Sequence, residues 1–77
     1  MTTTAATSIE TASGIEITIE LDGDSVTICQ SGHLAGRGRL SATGQIEDCT
    51  AVLGARGGEE SAAAYDALEL ALAEVMS

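Results

Sequence analysis

His33 is the single histidine of the chain, and Cys29 and Cys49 are its two cysteines. A nucleophilic thiol needs a base and a group that orients the base. Cys29 and His33 stand four residues apart with turn residues between them, and no third group follows, so catalysis is not expected. Zinc needs four ligands at closely defined spacings, and neither a C-x-x-C pair nor a second histidine is present. The cysteines are read as half-buried or buried thiols on neighbouring strands. Asp22-Gly23-Asp24 suggests a cation loop, but the further oxygen ligands of an EF-hand are missing and turn chemistry accounts for both aspartates. Gly54-x-x-Gly57-Gly58 ahead of a helix has the look of a phosphate cradle without its Lys-Ser/Thr ending. Glu59 and Glu60 would stand where phosphates should go. No cofactor, metal or catalytic group is expected.

The acidic residues themselves remain. Twelve Asp and Glu face three arginines and no lysine, for a net charge of −9 in 77 residues. Direct nucleic-acid binding needs cations to neutralise phosphates, and anionic membranes recruit basic clusters, so both are excluded as partners. A single-sign surface steers toward an oppositely charged partner. The candidate contact residues are Glu16, Glu20 and Asp22 on one strand face, Asp24, Glu47 and Asp48 at turns or strand ends, and Asp66 and Glu69 on a helix. Arg37 and Arg39, in Gly36-Arg37-Gly38-Arg39, are expected to pair with Glu16 and Glu20 across a sheet.

Alternation of Ile15, Ile17, Ile19 and Leu21 with Glu16, Thr18, Glu20 and Asp22 predicts a strand with one apolar and one acidic face. After the Asp22–Asp24 turn, Ser25–Gln30 returns with Val26 and Ile28 inward. His33–Ala42 is a third strand, with Leu34, Leu40 and Ala42 inward and Gly36 and Gly38 marking a bulge or a close backbone contact. Gln45–Leu53 is a fourth, its phase reversed near Asp48 by a bulge. Gly54–Gly58 is a flexible loop. From Glu59 a helical period places Tyr65, Leu68, Ala71, Leu72 and Val75 on one face. The expected fold is α+β: an antiparallel sheet of about four strands with one C-terminal helix packed on one face. Residues 14–77 form the single domain, and residues 1–13 a flexible or partly ordered segment whose first six residues fray. The expected core comprises Ile15, Ile17, Ile19, Val26, Ile28, Leu68, Leu72 and Val75.

A chain this small buries only about 60% of its unfolded surface. With one aromatic residue, Tyr65, its core must be aliphatic. Met1–Ser13 has neither a basic nor an apolar segment, so no secretory signal is expected and the cytoplasm is the expected compartment.

A very short, lysine-free acidic chain of sheet plus terminal helix, without an enzyme motif, resembles the small phage-encoded anti-CRISPR proteins. The resemblance spans most of the chain and lies in size, charge and the Ile15–Asp22 and Ala62–Val75 patterns. It includes no diagnostic motif, so no binding residue carries over. It implies an inhibitor of a type I Cascade complex that competes with target DNA in the host bacterial cytoplasm, as a monomer or homodimer. The alternative reading is a small oligomerising or accessory module whose acidity serves solubility.

Overall fold

The computed structural model describes residues 4–76. The expectation that the first six residues fray lies outside this range for residues 1–3. The described part is α+β: five antiparallel strands in the order β1-β2-β3-β4-β5 and one C-terminal helix. The strands are β1 (Thr4–Glu10), β2 (Glu16–Asp22), β3 (Ser25–Gln30), β4 (His33–Leu40) and β5 (Ile46–Glu47), and the helix α1 is Gly58–Met76. Each strand pairs with its sequence neighbours, so every connection between strands is short.

The turns follow from their residues. Ser31 and Gly32 both have positive φ, 51° and 83°, as a two-residue turn of mirror-image type requires between β3 and β4. Thr11-Ala12-Ser13-Gly14 and Ser41-Ala42-Thr43-Gly44 are the same turn used twice. In each, the first residue's hydroxyl accepts the N–H four residues on, at 3.2 Å for Ile15 and 3.0 Å for Gln45. Gly14 and Gly44 supply the left-handed φ of 84° and 86°.

The inner face of the sheet carries Ile17, Ile19 and Leu21 from β2 and Val26 and Ile28 from β3, all at most 1% exposed. Against it α1 lays Ala64, Leu68 and Leu72, and Leu53 fills the remaining gap. The helix lies chiefly over β1.

Several features differ from expectation. Thr4–Glu10 is a strand, which the small and polar residues of that stretch conceal. Leu34 is 59% exposed rather than inward, because a bulge between Ile28 and Cys29 shifts the β3–β4 register and turns Ala35 to the core instead. Ala42 is exposed and stands in the turn beyond β4. Val75 is 49% exposed: the last turn of α1 runs past the sheet, and the buried stripe is Ala64-Leu68-Leu72.

The fourth expected strand is cut short. β5 ends at Glu47 because Asp48 takes a positive φ of 58°, and the chain then runs irregularly back over β4. Gly36 and Gly38 permit this. A Cβ on Gly36 would sit 2.7 Å from the Ala51 Cβ, and one on Gly38 would sit 2.5 Å from the Glu47 carbonyl oxygen. The close backbone contact expected at these glycines is therefore present.

Candidate functional site

Antiparallel pairing decides which acids share a surface. The register sets Glu10 directly opposite Glu16, Ala6 opposite Glu20 and Thr4 opposite Asp22. Glu16, Glu20 and Asp22 alternate with the buried Ile17, Ile19 and Leu21, so they stand on the sheet face away from the helix. Glu10 joins them. Glu16 and Glu20 are about 13 Å apart by strand rise. The remaining side chains of this face on β1 and β3 are small: Thr4, Ala6, Ser8, Ser25, Thr27 and Cys29. A shallow open concavity of about 650 Å³ lies there, with Glu20, Asp22 and Arg37 among its walls.

The arginines occupy the far side of the same face. Thr27 pairs with Glu20 on one side and Arg37 on the other, and Ser25 likewise stands between Asp22 and Arg39. One strand thus separates them, which overturns the expected pairing of the arginines with Glu16 and Glu20. Arg39 instead reaches Asp24 at 3.5 Å, an exposed contact, and faces Glu47 across β4–β5. The open face is therefore bipolar, acidic on β1–β2 and mixed on β4–β5.

The helix acids belong elsewhere. Asp66 is exposed on α1, on the opposite side of the molecule from Glu16 and Glu20. Glu69 is half-buried and accepts the backbone N–H of Ile46 at 2.9 Å, which anchors β5 to the helix. Asp48 is exposed at the left-handed residue after β5. Of the eight acids singled out in the sequence, Glu16, Glu20 and Asp22 form one cluster. Asp24 and Glu47 flank Arg39, and Asp48, Asp66 and Glu69 join neither group. Glu10 was missed because β1 was missed; the alternation of Ala5, Thr7 and Ile9 with Ala6, Ser8 and Glu10 is its signal.

The Gly54–Gly58 loop is held rather than flexible. Four successive N–H groups donate to side chains: Leu53 to Ser61 Oγ at 3.0 Å, Gly54 to Gln30 Oε1 at 2.7 Å, Ala55 to Ser13 Oγ at 3.4 Å and Arg56 to Glu60 Oε1 at 2.9 Å. Glu60 also accepts the Ser13 N–H at 3.1 Å and the Ser13 hydroxyl. Its carboxyl is held down at about 2, first by the Ser13 hydroxyl, then by the Thr11 hydroxyl and the Arg56 N–H. The protein's own side chains, one of them the Glu60 carboxylate, occupy the Leu53–Arg56 amides that a phosphate cradle would offer to its ligand.

Both thiols are free. Cys29 pairs with Thr18 on the open face, whereas Cys49 packs against the core and accepts a contact from the Tyr65 hydroxyl at 3.2 Å. Cys29 and His33 make no hydrogen bond with each other among the described residues. Among those residues no three His, Cys, Asp or Glu side chains gather as metal ligands do, and no helix is long and apolar enough to cross a membrane.

Comparison with protein families, curated proteins and solved structures finds no match to the chain.

Proposed function

We propose that this protein is a non-enzymatic acidic inhibitor that binds a basic nucleic-acid-binding surface on a partner protein. The observation that carries the reading is the cluster of Glu10, Glu16, Glu20 and Asp22 on β1–β2, where no basic residue stands. Like charges directly opposite on a sheet destabilise it. Setting Glu10 against Glu16 works against the fold and in favour of a cationic partner. The flat surroundings of Thr, Ser and Ala let a broad groove wall approach. The narrower form of the proposal, drawn from the anti-CRISPR resemblance, is that the partner is a type I Cascade complex and that the inhibitor competes with its DNA.

The test is binding to the purified surveillance complex, with and without its DNA target, at two salt concentrations. Glu16→Lys/Glu20→Lys reverses the sheet cluster, and Asp66→Lys reverses the exposed helix side while sparing the Glu69 anchor of β5. The reading expects steep weakening with salt, since steering is screened over about 8–10 Å, and severe loss only in the sheet variant. Binding that ignores salt and survives the sheet reversal would overturn it. Simultaneous binding of DNA and protein would overturn DNA competition.

A further inference from the structure

The two edges of the sheet are treated differently. At the β4 side, β5 is only two residues long, and the chain after it folds back so that Ala51 and Cys49 cover Gly36 and Gly38. That edge is blunt. At the other side, β1 is seven residues long and regularly paired to β2 from end to end. It carries none of the devices that protect an edge: no proline, no lysine, no bulge, and its one charge, Glu10, at its end.

The hydrogen-bond phase fixes which β1 groups are open. Ser31 donates to the Glu16 carbonyl, and Thr11 to the Ile15 carbonyl. Glu16, Thr18, Glu20 and Asp22 therefore bond toward β3, and Ile17, Ile19 and Leu21 toward β1. Their partners Ile9, Thr7 and Ala5 spend their N–H and C=O groups on β2. Those of Thr4, Ala6, Ser8 and Glu10 point outward.

We propose that this edge pairs with β1 of a second copy, antiparallel and centred on Thr7, to make one continuous sheet through both chains. The edge is self-complementary in that register. Ala6 and Ser8 of one chain exchange bonds with Ser8 and Ala6 of the other, and Thr4 does so with Glu10. The phase leaves Thr7 opposite itself in a pair without hydrogen bonds. No like charges meet, because each Glu10 falls opposite a Thr4. Half-buried Ile9 stands beside half-buried Ala5 of the second copy on the helix side. The helices come side by side, because α1 lies chiefly over β1. Small residues make room for that approach: Ala63 and Ala67 line the recess between α1 and Ile9–Ala12, and Ala71 follows one turn later.

The inference is independent of the partner proposed above, and salt separates the two. Two chains of charge −9 repel, so added salt strengthens self-association, whereas it weakens binding to a basic groove. Sedimentation equilibrium of the full chain over a concentration series is expected to show a dimer whose dissociation constant falls with salt. Ser8→Pro removes an outward N–H in both copies and leaves the β1–β2 ladder intact, so it should weaken the dimer about tenfold to a hundredfold. Amide exchange on the unmodified chain should find Ala6 and Ser8 protected in the dimer. In a Cys29→Ser/Cys49→Ser background, Thr7→Cys should oxidise to a linked dimer. The paired Cα atoms would stand about 4.5 Å apart, within disulfide reach. Ser8→Cys, which faces Ala6 of the second copy, should not. A monomer at every concentration and salt would overturn the proposal. So would a dimer with freely exchanging Ala6 and Ser8 amides, or equal cross-linking of the two cysteine variants.

Discussion

Glu60 accepts the backbone N–H of Ser13 at 3.1 Å from forty-seven residues further along the chain, and so ties the start of the helix to the β1–β2 turn. The same carboxylate takes the Arg56 N–H at 2.9 Å. Its folded pKa is about 2 against an ordinary 4.5. A depressed carboxyl stabilises the fold above its unfolded value, and that stabilisation is lost as pH falls through the window from 4.5 to about 2. Glu60→Gln should therefore melt below the parent at neutral pH, with the gap closing as pH falls to 2. An equal gap at both pH values would mean that the ionised carboxylate is not what holds the loop.

The Tyr65 hydroxyl donates to the Ala51 carbonyl at 2.5 Å and lies 3.2 Å from the Cys49 sulfur. Burial first, then the Cys49 contact, pushes its ionisation above the ordinary tyrosine range. It is the chain's only tyrosine, so tyrosinate absorbance reports it alone. The folded protein should stay un-ionised at pH ~11, where a free tyrosine is mostly tyrosinate, and unfolding should restore a midpoint near 10. A raised phenol pKa adds stability below the unfolded value, lost as pH rises through the folded one. Tyr65→Phe removes the bond to Ala51 and should cost about 0.5–1.5 kcal/mol, measured by denaturant unfolding.

Leu68 is fully buried at the centre of the α1–sheet contact, and Val75 is half exposed beyond it. Leu68→Ala should cost roughly 2–5 kcal/mol, a large part of the ~5–15 kcal/mol that holds a domain. Val75→Ala should lie within about 0.5 kcal/mol of the parent. Equal losses in the two variants would mean that the helix is rotated about its axis.

Physical reasons separate what was legible in the sequence from what was not. β2, β3 and α1 are announced by Ile and Leu at periods of two and about 3.6, because burial there rests on large aliphatic side chains. β1 carries one such side chain, Ile9, so its alternation of Ala5, Thr7 and Ile9 with Ala6, Ser8 and Glu10 is only faintly apolar, and the edge that β2 offers is what makes it a strand. Leu34 and the fourth strand differ from expectation for a related reason. The irregularities fall where the sequence marks them, at Gly36 and at Asp48, but the pattern does not say that the register shift beside Gly36 turns Leu34, before it, outward, or that the left-handed Asp48 ends the strand rather than bulging it. The acidic face was legible on β2 alone, and its β1 member appears only once the register sets Glu10 beside Glu16.

That pair supplies the most discriminating prediction, because fold and proposed function pull on it in opposite directions. Glu10 and Glu16 are exposed, directly opposite, and have no base beside them on either strand. An opposite-charge cross-strand pair contributes about 0.2–1 kcal/mol, and a like-charge pair works against the fold. Glu16→Lys should therefore raise the melting temperature, most at low salt, while it weakens capture by a basic partner. Glu16→Gln should do both to a smaller extent. Thermal melts at two salt concentrations, set beside binding to the surveillance complex, read both effects on the same samples. A variant that melts higher and binds worse would show acids kept on this face at a cost to the fold. If Glu16→Lys destabilises the protein or leaves binding intact, the acids there serve the chain's own structure or solubility, and the inhibitor reading loses the observation that carries it.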